Sequence, residues 1–282
     1  MDLQMDHVTV CGRDLDRMRQ SFAERGLATE YGGPHANGRT HMALAGFDDG
    51  SYMELIAPLS SHDQGTLQRT SGMMAGWLPL MLGDAGPGAW AIRANRIHDV
   101  ADRLRRKGIA VRGPERGGRR KPDGSQLEWE TALLGPEPAG SLLPFMIEDH
   151  TDRNGRVVPS AAVREAGFRG VSAVILAVEN IVATAALFQS AFGWDFPAEM
   201  EDPRFEAKLA HFSGTLVILA TPLRSSSVVR ARLDRFGQGP VGFLFSGTRT
   251  GPSPRTSHWF GQRIVWFQQK SDMNLLGVVG AP

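Results

Sequence analysis

Residues 5–58 read MDHVTVCGRDLDRMRQSFAERGLATEYGGPHANGRTHMALAGFDDGSYMELIAP, and this stretch decides the fold. Val8 and Val10 alternate with polar residues, which is typical of a strand. Asp14 is a suitable N-cap for the helix that follows, and Gly26 is a suitable C-terminal stop. Three further short strands follow the helix, so the stretch predicts a βαβββ unit.

The same pattern recurs along the chain. The glycines that end successive helices, Gly26, Gly108 and Gly193, lie 82 and 85 residues apart. A fourth copy begins near Gly239 and is degraded, because residues 248–257 are rich in proline, glycine and serine and predict a short or missing helix. Repetition at a fixed period indicates a repeat architecture. We therefore predict an α+β fold of four tandem βαβββ units.

A polar stretch separates the first two units from the last two. We predict a first domain over 1–150, a linker over 151–169 and a second domain over 170–282. The long connection 59–86 predicts one additional helix with a core-facing apolar side.

The composition of the chain limits which partners and which cellular compartment are expected. The chain has 31 Lys and Arg against 30 Asp and Glu, so its charge does not favour nucleic acid or a membrane surface. A single cysteine, Cys11, excludes a disulfide within the chain and favours the reducing cytoplasm. We find no signal peptide and no apolar run long enough to cross a membrane, so we expect a cytoplasmic protein that binds a small molecule.

Two residues of the first unit are candidate metal ligands. Alternation places His7 and Cys11 on one face of the first strand, and Tyr52 and Glu54 on one face of the last strand. If these strands are neighbours, opposed side chains about 4.5–5.5 Å apart could share a divalent ion. The alternative is a buried, hydrogen-bonded His–Glu pair without metal, and the two residues alone leave both readings open.

In order and spacing these motifs resemble the vicinal oxygen chelate superfamily of glyoxalase I, bleomycin resistance proteins and extradiol dioxygenases, and more narrowly its glyoxalase-like domain group. The resemblance implies that the four units are paired into two glyoxalase-like domains with cupped sheets. It covers about 150 residues well and the remainder weakly. The matching motifs are Asp6-His7-Val8, Arg13-Asp14-Leu15-Asp16, Gly32-Gly33-Pro34-His35, Thr40-His41-Met42-Ala43-Leu44, Tyr52-Met53-Glu54-Leu55-Ile56-Ala57, Arg119-Arg120-Lys121-Pro122-Asp123-Gly124, Leu127-Glu128-Trp129 and Leu143-Pro144-Phe145-Met146-Ile147-Glu148.

The resemblance implies a divalent metal cofactor (Fe, Mn, Zn or Ni) held by His7 and Glu54. The remaining ligands would come from the second unit, where Glu148 and His150 are the candidates. His41 is a candidate metal ligand or general base, and Glu54 is also a candidate catalytic residue. The third and fourth units carry no matching ligand pair, so the second half is expected to act as scaffold, lid or homodimer surface.

Four further residues are candidates for substrate binding. His35 lies in the glycine-rich loop and Tyr52 on the face of Glu54. Arg119 and Arg120 lie in the stretch 113–125, which we predict to be a loop that clamps an anionic substrate, because arginine binds carboxylates bidentately.

Two functions follow from these residues. One is a metal-dependent lyase or isomerase, favoured over a dioxygenase because the sequence shows no complete set of two histidines and one carboxylate. The other is a metal-free protein that binds or sequesters a small molecule.

Overall fold

The computed structural model describes residues 4–36, 38–59, 73–83, 85–121, 124–136, 141–248, 256–267 and 275–280. It contains two eight-stranded sheets with the same strand order. In each sheet two four-stranded units lie side by side, joined through the first strand of each unit. The predicted fold class, with its tandem units and cupped sheets, is confirmed.

The first sheet has the order β2-β3-β4-β1-β5-β8-β7-β6, so β1 and β5 meet at its centre. Its elements are β1 (Gln4–Cys11), α1 (Leu15–Ala23), β2 (Glu30–Pro34), β3 (Thr40–Gly46), β4 (Tyr52–Pro58), α2 (Met73–Leu82), β5 (Gly86–Arg93), α3 (Ile97–Arg106), β6 (Val111–Arg120), β7 (Gln126–Leu134) and β8 (Phe145–Asp149).

The second sheet repeats this order with β10-β11-β12-β9-β13-β16-β15-β14. Two short helices, α4 (Arg153–Arg156) and α5 (Ala161–Glu165), precede it. Its elements are β9 (Phe168–Ala177), α6 (Ile181–Phe192), β10 (Ala198–Asp202), β11 (Ala207–His211), β12 (Val217–Pro222), α7 (Val228–Phe236), β13 (Gly239–Gly247), β14 (Thr256–Trp259), β15 (Gln262–Phe267) and β16 (Leu275–Gly280).

The two halves share one large core. Val8 and Trp90 of the first sheet belong to the same buried cluster as Phe188 and Phe245 of the second half. The indole of Trp90 stacks on the ring of Phe188 with a centroid distance of 6.5 Å. The convex side of the first sheet is thus buried, and its concave side is left for a separate cluster and a cavity.

The register of β1 and β4 sets the geometry of the concave side. These strands are parallel, with His7 opposite Tyr52 and Thr9 opposite Glu54. The sequence correctly predicted which residues share a face, but the pairing of His7 directly opposite Glu54 was wrong. His7 and Glu54 are diagonal neighbours on that face, which still lets their long side chains meet.

The stretch predicted as a loop over 113–125 is mostly strand. β6 runs through to Arg120 and pairs with β7, with Gly117 directly opposite Trp129. Glycine here provides space rather than a turn, because a Cβ on Gly117 would lie 2.7 Å from Trp129 Nε1. The glycine content that suggested a loop therefore reflects close packing of an indole on the strand.

Gly117→Ala should consequently destabilise the protein by about 1–3 kcal/mol, the usual cost of overpacking. Urea unfolding at neutral pH would measure the change. The penalty should largely disappear in a Trp129→Leu background, because the clashing ring is then gone. An equal penalty in both backgrounds would contradict a steric cause.

Two other predictions concern the connections. The stretch 151–169, predicted as a linker, carries α4 and α5, and Arg156 of α4 is buried against the first sheet. The extra helix predicted within 59–86 is α2. Residues 249–255, where a short or missing helix was predicted, lie outside the described residues.

Candidate functional site

The cup of the first sheet encloses a cavity of about 480 Å³. Both units contribute to it, since β1, β3 and β4 form one wall and β6, β7 and β8 form the other. It is lined by His7, His35, Thr40, Met42, Leu44, Tyr52, Glu54, Trp77, Arg112, Glu115, Arg119, Trp129, Thr131, Leu133, Phe145, Ile147 and Arg156.

Glu54 lies between two imidazoles in this cavity. One carboxylate oxygen, Oε2, is 3.7 Å from His7 Nε2, and the other, Oε1, is 3.5 Å from His35 Nε2. The side chain of Glu54 is buried, with 7% of the residue exposed. The structure therefore brings together three of the predicted site residues: His7, His35 and Glu54.

Glu54 is held in its charged form. Burial alone would raise the pKa of its carboxyl, but the interactions with His35, His7 and Arg119 bring the pKa below its ordinary value. At neutral pH the cavity therefore contains a buried carboxylate, which is an acceptor for protons, cations or metal ions.

Each imidazole is anchored through its other nitrogen. His7 Nδ1 lies 2.6 Å from Asp6 Oδ1, and His35 Nδ1 lies 2.8 Å from Thr40 Oγ1. A carboxylate at Nδ1 favours the tautomer that carries the proton there and leaves Nε2 as an acceptor. Asp6 therefore orients His7 so that its free Nε2 faces Glu54.

Asp6 is itself fixed by a buried cluster of charges. It is completely buried and accepts hydrogen bonds from Arg156 Nη1 and Nη2 at 3.0 and 2.9 Å, and from Arg153 Nη1. Arg156 also binds Asp149, with distances of 2.7 and 2.8 Å. Although burial opposes ionisation, the bonds to His7 and Arg156 hold the pKa of Asp6 far below its usual range.

Tyr52 supports the same arrangement. Its ring stacks on His7 with a centroid distance of 4.5 Å, and its hydroxyl oxygen lies 2.6 Å from the donor Arg156 Nη1. Burial raises the pKa of this phenol well above its ordinary value, so Tyr52 stays protonated. The residue predicted for substrate binding thus also holds His7 in place.

Arg119 joins the two walls of the cavity. Its Nη1 donates to the carbonyl oxygen of Gly32 on β2, and its Nη2 donates to that of Arg156 at 3.2 Å. Arg120, its neighbour, is exposed and does not line the cavity, because successive residues of a strand face opposite sides. Of the two predicted substrate-binding arginines, only Arg119 is placed to reach a ligand in the cavity.

His41 also faces away from the cavity. On β3 the lining residues are Thr40, Met42 and Leu44, so His41 projects to the other side, where its ring meets Tyr31 with a centroid distance of 5.9 Å. Its predicted role as general base does not fit this position. The histidine that lies beside Glu54 is His7 on one side and His35, instead of His41, on the other.

The ligands expected from the second unit do not reach Glu54 either. The carboxylate of Glu148 accepts the backbone N–H groups of Arg96 and Ile97 at 2.8 and 2.7 Å, at the beginning of α3. His150 Nε2 is 3.0 Å from Glu130 Oε2 on the outer side. Neither residue lines the cavity. On β8 the side chains of Phe145 and Ile147 face the cavity, so Glu148 faces the opposite side, and His150 lies beyond the end of the strand.

Sequence reasoning missed several residues of this site. Asp6 was part of a recognised motif, and its position next to a candidate ligand was the only available signal. Arg156 comes from a segment that was interpreted as a linker, and it lies 150 residues from Asp6 along the chain. Trp77 lies on the helix that was predicted to face the core, and Trp129 was part of a motif to which no role was given. Both residues line the cavity.

The glyoxalase-like domain model matches residues 5–192, which is more than half of the chain. The chain belongs to the glyoxalase-like domain family. No curated protein sequence matches it.

Solved structures with the glyoxalase-like fold extend over the whole chain. A hypothetical protein from Staphylococcus aureus superposes with a TM-score of 0.67 at 14% identity, covering 99% of this chain and 100% of that one. A mutant of 4-hydroxymandelate synthase from Streptomyces coelicolor has a TM-score of 0.59 at 12% identity, covering 99% and 92%. A fusion of a xylose isomerase-like TIM barrel with 4-hydroxyphenylpyruvate dioxygenase has a TM-score of 0.55 at 10% identity, covering 98% and 48%. At these identities the similarity establishes the fold.

Glyoxalase-like superfamily members typically use divalent metal ions, so the donor set needs to be tested against one. Ligands bound at about 2.0–2.2 Å to one tetrahedral ion lie roughly 3.4 Å apart. The His7–Glu54 and His35–Glu54 separations of 3.7 and 3.5 Å are close to that spacing. In the described ranges, however, no group of three or more His, Cys, Asp or Glu side chains is arranged to hold an ion. Two ligand pairs are therefore suitable for an ion, His7 with Glu54 and His35 with Glu54.

The second glyoxalase-like sheet has a filled cup. The inner faces of β9 and β12 carry buried apolar residues such as Ile175 and Ile218. Phe205, Trp259 and Trp266 pack together there, with centroid distances of 4.9, 5.6 and 5.1 Å. Among the described residues, the inner face of the second sheet therefore carries an apolar cluster where the first sheet carries Glu54 and its two histidines.

Within the described part of the chain, no helix has the length and apolar character needed to span a membrane. The cytoplasmic location remains a prediction.

Proposed function

We propose that this chain is a metal-dependent enzyme of the vicinal oxygen chelate type, acting on a small oxygenated, anionic metabolite. The observation that supports it best is the buried Glu54 carboxylate, which faces the Nε2 atoms of His7 and His35. His7 and Glu54 would hold the ion and His35 is a further candidate, in place of Glu148 and His150. When bound, such an ion supplies Lewis-acid polarisation of a substrate oxygen.

The remaining chemistry belongs to the chain's own side chains. Asp6 and Tyr52 hold His7 in one orientation, which lets its Nε2 act without rearrangement. His35 has an imidazole whose Nδ1 is fixed by Thr40, so it can take up or release a proton at Nε2 beside Glu54. Trp77, Phe145 and Trp129 keep water from the cavity walls, which strengthens charge interactions inside.

This arrangement favours a lyase or isomerase over a dioxygenase. An imidazole next to a buried carboxylate is suited to moving a proton on a bound substrate, which is the central step of either class. A dioxygenase with non-haem iron would need two histidines and one carboxylate converging on one ion. His7, His35 and Glu54 are of the right types, but they form two pairs rather than one group.

Metal reconstitution tests the proposal. Protein stripped with a chelator should bind one equivalent of at least one of Fe(II), Mn(II), Zn(II) or Ni(II), and its melting temperature should rise with metal concentration. His7→Ala and His35→Ala should each lose most of this stabilisation. His150→Ala is the matched control, since its imidazole lies outside the cavity, and it should behave like the wild type.

A second function is a protein that binds a small molecule without catalysis. It is favoured by the lack of a ready three-residue metal group among the described residues, combined with a well-formed cavity. Sub-stoichiometric binding of all four metals, together with unchanged melting of His7→Ala and His35→Ala, would support this alternative and contradict the metal-dependent enzyme.

A further inference from the structure

A groove lies next to the cup cavity, beside β6 and β7. It has a volume of about 500 Å³, and Arg116, Gly117, Gly118, Gln126, Glu128 and Trp129 contribute to its walls. Trp129 also lines the cup cavity. Among the described residues, the indole of Trp129 is the side chain that borders both spaces.

The two spaces also meet at neighbouring positions of the chain. His35 lines the cup cavity and Ala36 lines the groove, while Glu115 lines the cavity and Arg116 lines the groove. The Cα atoms of consecutive residues are only about 3.8 Å apart. The groove therefore adjoins the mouth of the cavity, between the β2–β3 connection and β6.

Two glycines leave the backbone of β6 uncovered in the groove. A Cβ on Gly117 would lie 2.7 Å from Trp129 Nε1, and one on Gly118 would lie 2.5 Å from the carbonyl oxygen of Leu127, so neither position has room for a side chain. β6 is an edge strand of the first sheet, and an edge strand presents unpaired N–H and C=O groups. The groove thus offers backbone donors and acceptors to a ligand.

The side chains of the groove carry charges of both signs. Arg116 and Glu128 are both exposed and bring one positive and one negative charge. Gln126 adds an amide, and the imidazole of His150 is held by Glu130, with Nε2 at 3.0 Å from Oε2. A charged group placed here meets a like charge as well as an opposite one, so its net gain is small. A neutral group that both donates and accepts suits this lining better.

We infer that the groove is an outer subsite of the cup and binds an uncharged, hydrogen-bonding tail of the substrate, while the oxygenated reacting end lies in the cavity beside Glu54. The part of the substrate that links the two ends would cross Trp129, whose ring provides a flat apolar surface. This rests on the cavity being the substrate site of the proposed function, but it requires no metal.

Disulfide capture tests the subsite without a metal. Thr131→Cys places a thiol in the cavity, two residues from Trp129 on the same face of β7. The native Cys11 is completely buried, so the introduced thiol is the accessible one. The protein is equilibrated with 2-mercaptoethanol and a thiol probe, and mass spectrometry gives the fraction captured. The probes 6-mercapto-N-methylhexanamide and 8-mercaptooctan-1-ol have uncharged hydrogen-bonding ends, 7-mercaptoheptanoate has a charged end, and ethanethiol is too short to leave the cavity.

The amide and the alcohol should be captured several-fold more strongly than the carboxylate. Arg116→Ala and Gln126→Ala should each weaken capture of the amide by about threefold to tenfold, which corresponds to the loss of one hydrogen bond, and should leave capture of ethanethiol unchanged. Arg120→Ala is the matched control, because Arg120 is exposed on β6 but lines neither the cavity nor the groove.

Stronger capture of the carboxylate than of the amide would overturn the inference. So would amide capture that is unchanged in Arg116→Ala and Gln126→Ala, or that falls equally in Arg120→Ala. Capture that decreases as the protein concentration rises would also overturn it, since a second copy of the chain would then occupy the edge of β6.

Thermal melting checks that each variant is folded, and Glu115→Cys provides a second anchor in the cavity if Thr131→Cys is not. Because no metal is added, failed metal reconstitution contradicts the proposed function alone, and the capture measurements still decide whether the groove is a subsite.

Discussion

Glu54→Gln is expected to weaken metal binding by more than about 100-fold, because substitutions of outer-shell partners alone cost roughly 10–100-fold. Glutamine preserves the size of the side chain but removes the charge, and a neutral amide is a poor replacement for a buried carboxylate at a divalent ion. The effect should be larger than that of removing either histidine, since Glu54 is the residue that both His7 and His35 face.

The loss should persist across the neutral pH range. The pKa of Glu54 lies below its ordinary value, so its carboxylate stays charged throughout that range and the contrast with glutamine does not vary. Competition against a metal indicator, in parallel with thermal melting, would measure the affinity and check the fold.

Glu115→Gln provides the matched control for this experiment. Glu115 lines the same cavity but is exposed at β6. This variant tests whether any negative charge in the cavity attracts the ion, or whether the carboxylate of Glu54 is needed. An equal loss in Glu115→Gln, or normal metal binding by Glu54→Gln, would contradict the assignment of Glu54 as a metal ligand.

The face on which each site residue lies could be predicted from the sequence, because alternation in a strand has a period of two. This is why His7 and Glu54 were placed on the same side of the sheet. The register was not predictable in the same way. A shift of two residues preserves every face, so the pattern could not distinguish Glu54 from Tyr52 as the residue opposite His7.

Residues brought together from distant parts of the chain could not be predicted. Arg156 reaches Asp6 across 150 residues, and its segment shows only polar composition. Asp6 itself should point away from His7 by simple alternation, yet the pairing of β1 with β5 has an irregularity between Met5 and His7. Such bulges re-aim side chains, and no sequence pattern marked this one.

His41 was predicted to be the general base, although it faces away from the cavity. His41 and His35 are equally plausible from residue type, and His41 belongs to a more regular strand. Only the alternation from Thr40 through Met42 to Leu44 decides which side faces the cavity, and that needs the exact position of the strand. Residue type therefore indicated the chemistry of the site, while the fold decided which histidine takes part.

Asp6→Asn should destabilise the protein by roughly 3–5 kcal/mol at neutral pH, as breaking a buried ion pair does. Asp6 is completely buried and receives Arg156 in two hydrogen bonds, with Arg153 and His7 as further partners. Asparagine keeps the shape and one acceptor oxygen but leaves the guanidinium of Arg156 with less compensating charge in the interior.

The same variant should change how stability depends on pH. The pKa of Asp6 in the folded protein is far below the unfolded value of about 3.9, so between the two the unfolded chain binds more protons. The contribution of Asp6 is therefore fully present above about pH 4–5 and is lost as the pH falls further. The gap between wild type and Asp6→Asn should be widest near neutrality and should shrink below about pH 4.

Urea unfolding at a series of pH values from neutral to about 3 would measure both effects. Asp48→Asn is the matched control, because Asp48 also pairs with an arginine, Arg164, but at the exposed surface, where ion pairs contribute little. A neutral-pH loss in Asp6→Asn no larger than that of the control, or a gap that stays constant as the pH falls, would contradict the buried charge cluster as the support of His7. A large, pH-dependent loss accompanied by weaker metal binding would connect the stability of this cluster to the orientation of the imidazole that it holds.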